Sequence, residues 1–176
     1  MKLLGICGAS GVGKTSLIEG LIAALKARSQ RVSVIKHAHQ GFDLDTPGTD
    51  TSRHARAGAF EVLIASSQRV AKMREFDAPV QPTVHQLIGE LHECDWVLAE
   101  GFKHADVLKL EVWRAALDMA PLYPEDPFVF GIATDDPDTL PVPTLRPVFS
   151  LGNAAVLADY LLREGGRFEY HSERHG

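Results

Sequence analysis

Eight residues near the N-terminus, Gly8-Ala9-Ser10-Gly11-Val12-Gly13-Lys14-Thr15, match the phosphate-binding pattern G-x-x-x-x-G-K-[ST]. Glycine lets the backbone turn so that successive N–H groups gather around an anion. The lysine reaches the outer phosphates, and the Thr15 hydroxyl offers a hard oxygen to Mg²⁺. Gly8, Ser10, Gly11, Val12, Gly13, Lys14, Thr15 and Ser16 are therefore the candidate nucleotide-binding residues. A second carboxylate-bearing stretch, "WVLAEG", ends an apolar run on Glu100. An acid at the end of a neighbouring strand is the expected Mg²⁺ partner of such a loop, and Glu reaches further than the usual Asp, acting through a water. A third cluster, "IKHAHQGFDLD", places Lys36, His37, His39, Asp43 and Asp45 directly after another strand. Lys36 is expected to meet an anion, and Asp45 or Asp43 to lie near Mg²⁺. The H-x-H pair is alternatively a transition-metal ligand set, although no third ligand has recognisable spacing. Lys103, just after Glu100, is a further cation for an anionic ligand. Asp135 in "ATDDP" is positioned to accept hydrogen bonds from a base such as guanine, though no N-K-x-D is present.

These residues act together only if strands and helices bring them to one edge. Leu3, Leu4, Ile6 and Cys7 read as a buried parallel strand. Leu17, Ile18, Leu21, Ile22 and Leu25 then repeat with helical spacing, which completes strand, glycine loop and helix. Further strands are expected at residues 32–36, in "DWVLAEG", "KLEVWR", "FVFGIATDDPDTL" and "PVFSL", with a short helix near residues 50–57. Thr83 and Gln86 form a capping-box pattern ahead of Val84, Leu87, Ile88 and Leu91. Asn153 caps a final helix bearing Val156, Leu157, Tyr160 and Leu161. "FEVLIASSQRVAKMREF" reads as two strands joined at a turn, an antiparallel hairpin lying at a sheet edge or making a protein contact. Strands alternating with helices predict an α/β P-loop NTPase fold: a mostly parallel sheet flanked by helices, with the hairpin added. Residues 1–163 are expected to form one nucleotide-binding domain and residues 164–176 a flexible polar tail, in which "HSERH" is a loose end rather than a ligand set.

The bulk composition narrows the function classes. The chain has 176 residues, 45% of them apolar, ample for one packed core. A net charge of −5 argues against non-specific nucleic-acid binding. No apolar run approaches the ~20 residues of a membrane span. The two cysteines, Cys7 and Cys94, are far apart and form neither a zinc ribbon nor a redox pair. The N-terminal apolar run leads straight into the glycine loop, as a core strand does and a signal peptide does not. A cytoplasmic protein is expected.

Four pieces taken together resemble the MobB family of molybdopterin-guanine dinucleotide biosynthesis adapter proteins. They are "GASGVGKTSLIEGLI", "VSVIKHAHQGFDLDTPGTDTSRHARAGA", "VLIAS" and "WVLAEGFKHADVLKLEVWR". In order and spacing they cover most of residues 3–114. The glycine loop alone is widespread; the I-K-H-x-H, D-x-D-x-P-G-x-D-[ST] and E-G-F-K series is more specific. The resemblance implies a GTP- and Mg²⁺-binding protein with feeble GTPase activity, dimeric as a homodimer. It implies a partner guanylyltransferase, MobA, which moves GMP from GTP onto molybdenum-bound molybdopterin. The family's phosphate and Mg²⁺ roles carry over to Gly11, Gly13, Lys14, Thr15 and Glu100. Two rival readings stand beside it. A small-molecule kinase of the P-loop class would need an arginine-rich lid, and Arg53 with Arg56 is the only close pair in mid-chain. A metal-delivery GTPase would use the histidines.

Overall fold

The structure, a computed structural model, describes residues 1–38, 46 and 48–171. In chain order its elements are β1 (Lys2–Cys7), α1 (Lys14–Lys26), β2 (Val32–Lys36), α2 (Asp50–Arg56), β3 (Glu61–Ala65) and β4 (Val70–Arg74). They continue with α3 (Val84–Ile88), β5 (Trp96–Glu100), β6 (Lys109–Val112), β7 (Val129–Thr134), β8 (Val148–Ser150) and α4 (Ala154–Arg163). They gather into two units: residues 1–37 with the chain from Thr83 onward, and residues 38–82. The hairpin and α2 lie in the second of these units.

In the first unit six strands pair in the order β2-β5-β1-β6-β7-β8, all parallel. Parallel strands are buried on both faces, which explains the near-continuous apolar runs of β1, β5 and β7. Alternation along β1 divides the core. Leu4 and Ile6 join Leu17, Ile18, Leu21 and Leu25 of α1 and Leu157 and Leu161 of α4 in one cluster. Leu3 joins Val84 and Ile88 of α3 and Val97 of β5 in another. Helices thus cover both faces. Each fully buried leucine contributes about 1.5–3 kcal/mol relative to exposure. Thr83 caps α3 in the expected capping box, its hydroxyl accepting from Gln86 N while Gln86 Oε1 accepts from Thr83 N. Asn153 caps α4 by accepting from Val156 N.

The chain leaves β1 toward the β2 edge and returns to the other flank of β1 at β6. Such a reversal opens a crevice outside the carboxyl ends of the strands, where α/β sheets bind ligands.

The second unit holds α2, capped by Thr49, and the two-stranded antiparallel sheet β3–β4, paired from Glu61↔Arg74 to Ala65↔Val70. Ser66 Oγ accepts from Gln68 N and Arg69 N and closes the turn. The hairpin is as expected, but it is a sheet of its own rather than an edge of the main one.

The C-terminal segment differs from the sequence reading. A 3-10 turn spans Gly165–Phe168, and Phe168 is buried with its ring 5.6 Å from Trp96 and 5.1 Å from Phe130. Glu169 bridges antiparallel to Lys2, and Tyr170 N donates to Met1 O at 3.0 Å. The polar composition of residues 164–171 masks a buried Phe168 and a half-buried Tyr170, and aromatic burial offsets the cost of ordering such a segment. Phe168→Ala should therefore lower stability by about 3–5 kcal/mol, a typical loss for a buried phenylalanine. Urea unfolding would measure it, and a loss below about 1 kcal/mol would show that this packing does not hold the segment.

Candidate functional site

The glycine loop runs from the end of β1 to the start of α1, at the crevice. Three of its backbone positions lie at positive φ: Gly8 at 131°, Gly11 at 75° and Gly13 at 104°. At Gly8 a Cβ would run into the Val112 carbonyl, so glycine there is a matter of space as well as conformation. Val12 is buried among the α1 and β6 side chains and anchors the loop to the core. With its side chain in the core, Val12 offers a ligand its backbone N–H. Gly13 precedes α1 in the left-handed region and brings no side-chain cap, and no acidic residue stands in the first turn. By helix geometry the first-turn N–H groups point back toward the loop and carry the positive end of the helix dipole. Ser10, Gly11, Thr15 and Ser16 are exposed. Lys14 Nζ folds over the loop and donates to the carbonyls of Gly8 at 3.1 Å and Ala9 at 2.6 Å. A cradle of N–H groups, an ammonium and a helix N-terminus is an anion site.

Strand register sets the acid beside it. Glu100 pairs with Ile6 of β1 on one side and Lys36 of β2 on the other, so three strand ends stop level. Thr15 Oγ1 donates to Glu100 Oε1 at 3.4 Å, and Lys36 Nζ lies 3.8 Å from Glu100 Oε2. Glu100 is only 8% exposed, while the Lys36 side chain is 61% exposed. Thr15, Glu100 and Lys36 thus meet at one strand edge, beside the loop that carries Lys14. Gly101 follows at φ 94°, with the space of its missing Cβ taken up by His37, and His37 N donates to Glu100 O at 2.9 Å. The His37 ring stands edge-on to Phe102, 5.4 Å between centroids. His39, Asp43 and Asp45 lie outside the described residues. Among the described residues no group of three or more potential metal-ligating side chains comes together.

The other flank of the loop was not foreseen. In β6 the alternating charges of "KLEV" are buried: Lys109 and Glu111 are each 2% exposed. Lys109 Nζ donates to the carbonyls of Lys103 and Ala105, both at 2.8 Å, and pairs with Asp126 at 2.7 Å. Glu111 accepts from Leu122 N at 2.7 Å and Tyr123 N at 2.8 Å. Burial pushes the Glu111 carboxyl upward from its ordinary range, against the opposing pull of those two N–H bonds. Both side chains tie loops to β6. Beside the glycine loop is a cavity of about 110 Å³, lined by Gly8, Ala9, Lys103, Glu111, Trp113 and Arg114 among others. Arg114 lies along Gly13, and its Nε is 3.7 Å from Asp135 Oδ2. Cys7, under the loop, has its thiol pushed up to about 12, first by burial and next by Glu111, and is no nucleophile.

A family model described as "MobB: Molybdopterin guanine dinucleotide synthesis protein B" matches residues 3–135. Two relatives named molybdopterin-guanine dinucleotide biosynthesis adapter protein are each 36% identical to the chain. The one from Haemophilus influenzae aligns over 99% of this chain and 94% of its own; the one from Escherichia coli over 94% and 97%. Among solved structures, the crystal structure of a MobB protein homolog from Bacillus stearothermophilus is similar with TM-score 0.68 and 24% identity, covering 93% of this chain and 97% of that one. The crystal structure of Bacillus subtilis MobB is similar with TM-score 0.70 and 18% identity, covering 97% and 100%. At those identities the structures speak for the fold.

The loop geometry makes a graded prediction. Gly11→Ala, with open space around the position, should cost only the left-handed backbone penalty of about 1–2 kcal/mol. Gly8→Ala should cost a further ~1–3 kcal/mol because the strand β6 backbone must move. Denaturant midpoints of the two variants would test the ranking, and equal losses would refute it.

Proposed function

The chain belongs to the MobB family, and from that premise we propose that it is an adapter protein of molybdopterin-guanine dinucleotide biosynthesis that works by binding GTP with Mg²⁺. The observation that carries the nucleotide part is the union of glycine loop, Lys14, Thr15 and Glu100 at one strand edge. The triphosphate chain lies on the loop N–H groups from Gly8 to Ser16, with Lys14 on the outer phosphates. A hydroxyl and a carboxylate are the hard oxygen donors that Mg²⁺ favours, and Thr15 and Glu100 stand 3.4 Å apart. Bound there, the ion would neutralise phosphate charge; Lys36, alongside Glu100, adds a cation at the same edge. Asp45, which the sequence also suggests for Mg²⁺, follows β2.

Holding phosphates is not transferring them. Among the described residues the site has a cradle and a metal carboxylate but no base placed to orient an attacking group, so slow hydrolysis is the expected chemistry. The guanylyl transfer belongs to the partner, a MobA-like molybdenum cofactor guanylyltransferase. A homodimer is supported by the second unit. Its Phe60, Leu63, Ile64, Val70, Phe76 and Val80 are exposed apolar side chains around a two-stranded sheet, a surface that association would cover. A cytoplasmic location suits a cofactor-assembly adapter; among the described residues no helix is long and apolar enough to cross a membrane.

Calorimetry and a transfer assay test the reading. GTP should bind in Mg²⁺, and Glu100→Gln should weaken that binding by about tenfold (about 1.4 kcal/mol) while changing little in EDTA. With GTP and molybdenum-loaded molybdopterin, the protein alone should make no dinucleotide, and its addition to the guanylyltransferase should raise dinucleotide formation. Dinucleotide made without the partner, or fast ATP-dependent phosphorylation of a metabolite, would overturn the adapter role. Sedimentation at micromolar concentration should show a dimer; monomer alone would remove the homodimer.

A further inference from the structure

Arg114 is placed against the glycine loop by strand register. Cys7 pairs with Glu111, so the loop begins beside the end of β6. Val112 pairs with Ala133, and Trp113 N donates to Ala133 O at 3.0 Å, which carries the β6–β7 alignment to the ligand edge. The same offset sets Arg114 opposite Asp135. The guanidinium lies flat along the last glycine of the loop: a methyl group on Gly13 would meet Arg114 Nη2 at 3.4 Å, Cζ at 3.9 Å and Nε at 4.0 Å.

This cation is loosely held. Arg114 Nε is buried without a hydrogen bond, and Asp135 Oδ2 at 3.7 Å is an ionic neighbour beyond hydrogen-bond reach. Among the described residues Arg114 makes no side-chain hydrogen bond at all, whereas Arg146 and Arg28 have carbonyl or carboxylate partners. Both members of the pair are substantially exposed, 40% and 50%, so the attraction is screened and weak. A phosphate oxygen is a better partner, since guanidinium and phosphate match in shape and can bond through two N–H groups.

Resting on the phosphate-binding reading of the loop, we propose that Arg114 is a phosphate-contacting residue supplied by the chain itself, its guanidinium exchanging Asp135 for the phosphate chain of the bound nucleotide. Asp135 then acts as a resting place for Arg114, not as a reader of guanine. The two roles of Asp135 predict opposite signs. If it competes for Arg114, its removal frees the cation for phosphate. If it reads guanine, its removal weakens GTP alone.

Affinities for GTP, ATP and inorganic tripolyphosphate, each with Mg²⁺, would be measured by calorimetry for the parent, Arg114→Ala, Arg114→Lys, Asp135→Asn and Lys14→Ala. Circular dichroism and urea midpoints would check each fold. Arg114→Ala should bind all three ligands about 10–100-fold more weakly, the usual worth of a charge-assisted hydrogen bond, with Arg114→Lys between it and the parent. Asp135→Asn should bind all three as tightly as the parent or several-fold more tightly. If the parent binds, Lys14→Ala does not, and Arg114→Ala matches the parent, this proposal falls while the loop reading stands. A parent that binds none of the ligands removes both. Loss of GTP binding alone in Asp135→Asn would return Asp135 to the base and overturn the exchange.

Discussion

Strand β1 is hydrogen-bonded in parallel on both sides, to β5 and to β6, and the ligand edge depends on that double pairing. Parallel pairing fixes which residues end level. On one side it aligns Ile6 with Glu100, and on the other Cys7 with Glu111. The glycine loop that leaves β1 therefore emerges between an acid-bearing strand end and a strand end carrying Arg114. Gly8 has to be glycine because the β6 backbone at Val112 is already there. The loop is held from below by Val12 in the core, and Lys14 folds back onto its Gly8 and Ala9 carbonyls.

The electrostatics follow from that arrangement. Cations ring the loop at Lys14, Lys36 and Arg114, and each has a negative or carbonyl partner close by: Gly8 and Ala9 carbonyls, Glu100, and Asp135. Partners of this kind keep a positive site tolerable; the exposed Arg114–Asp135 pair, worth about 0–1 kcal/mol, is readily exchanged. The buried charges do different work. Lys109 and Glu111 sit in the same strand two residues apart, each satisfied by backbone groups, and they pin residues 103–105 and 122–123 rather than meeting a ligand. Removing either would strand its partners, which is why charged groups of this sort survive in a core.

The two units differ in how their apolar residues are covered. The nucleotide elements belong to the first, whose strands are covered by helices on both faces. The second carries exposed apolar residues on a two-stranded sheet too small to bury them by itself.

The glycine loop with its strand and helix was legible because its constraints are local. Positive φ demands glycine, the phosphate cradle demands Lys and Thr next to it, and helical periodicity shows in five residues of α1. Glu100 and Lys36 were legible as strand-end residues, and the hairpin, the capping box and Asn153 could be read from neighbours three residues apart. Tertiary structure alone decided the rest. The alternating "KLEV" is indistinguishable in sequence from a solvent-facing strand until β1 and β7 close on it and loops supply partners for its charges. Arg114 lies 100 residues from Lys14 in number but is set beside the loop by a register that no local pattern encodes. Phe168, in a polar stretch, found its place only because Trp96 and Phe130 come together across distant strands. Local conformational preference is written residue by residue, whereas burial is a property of the whole packed chain.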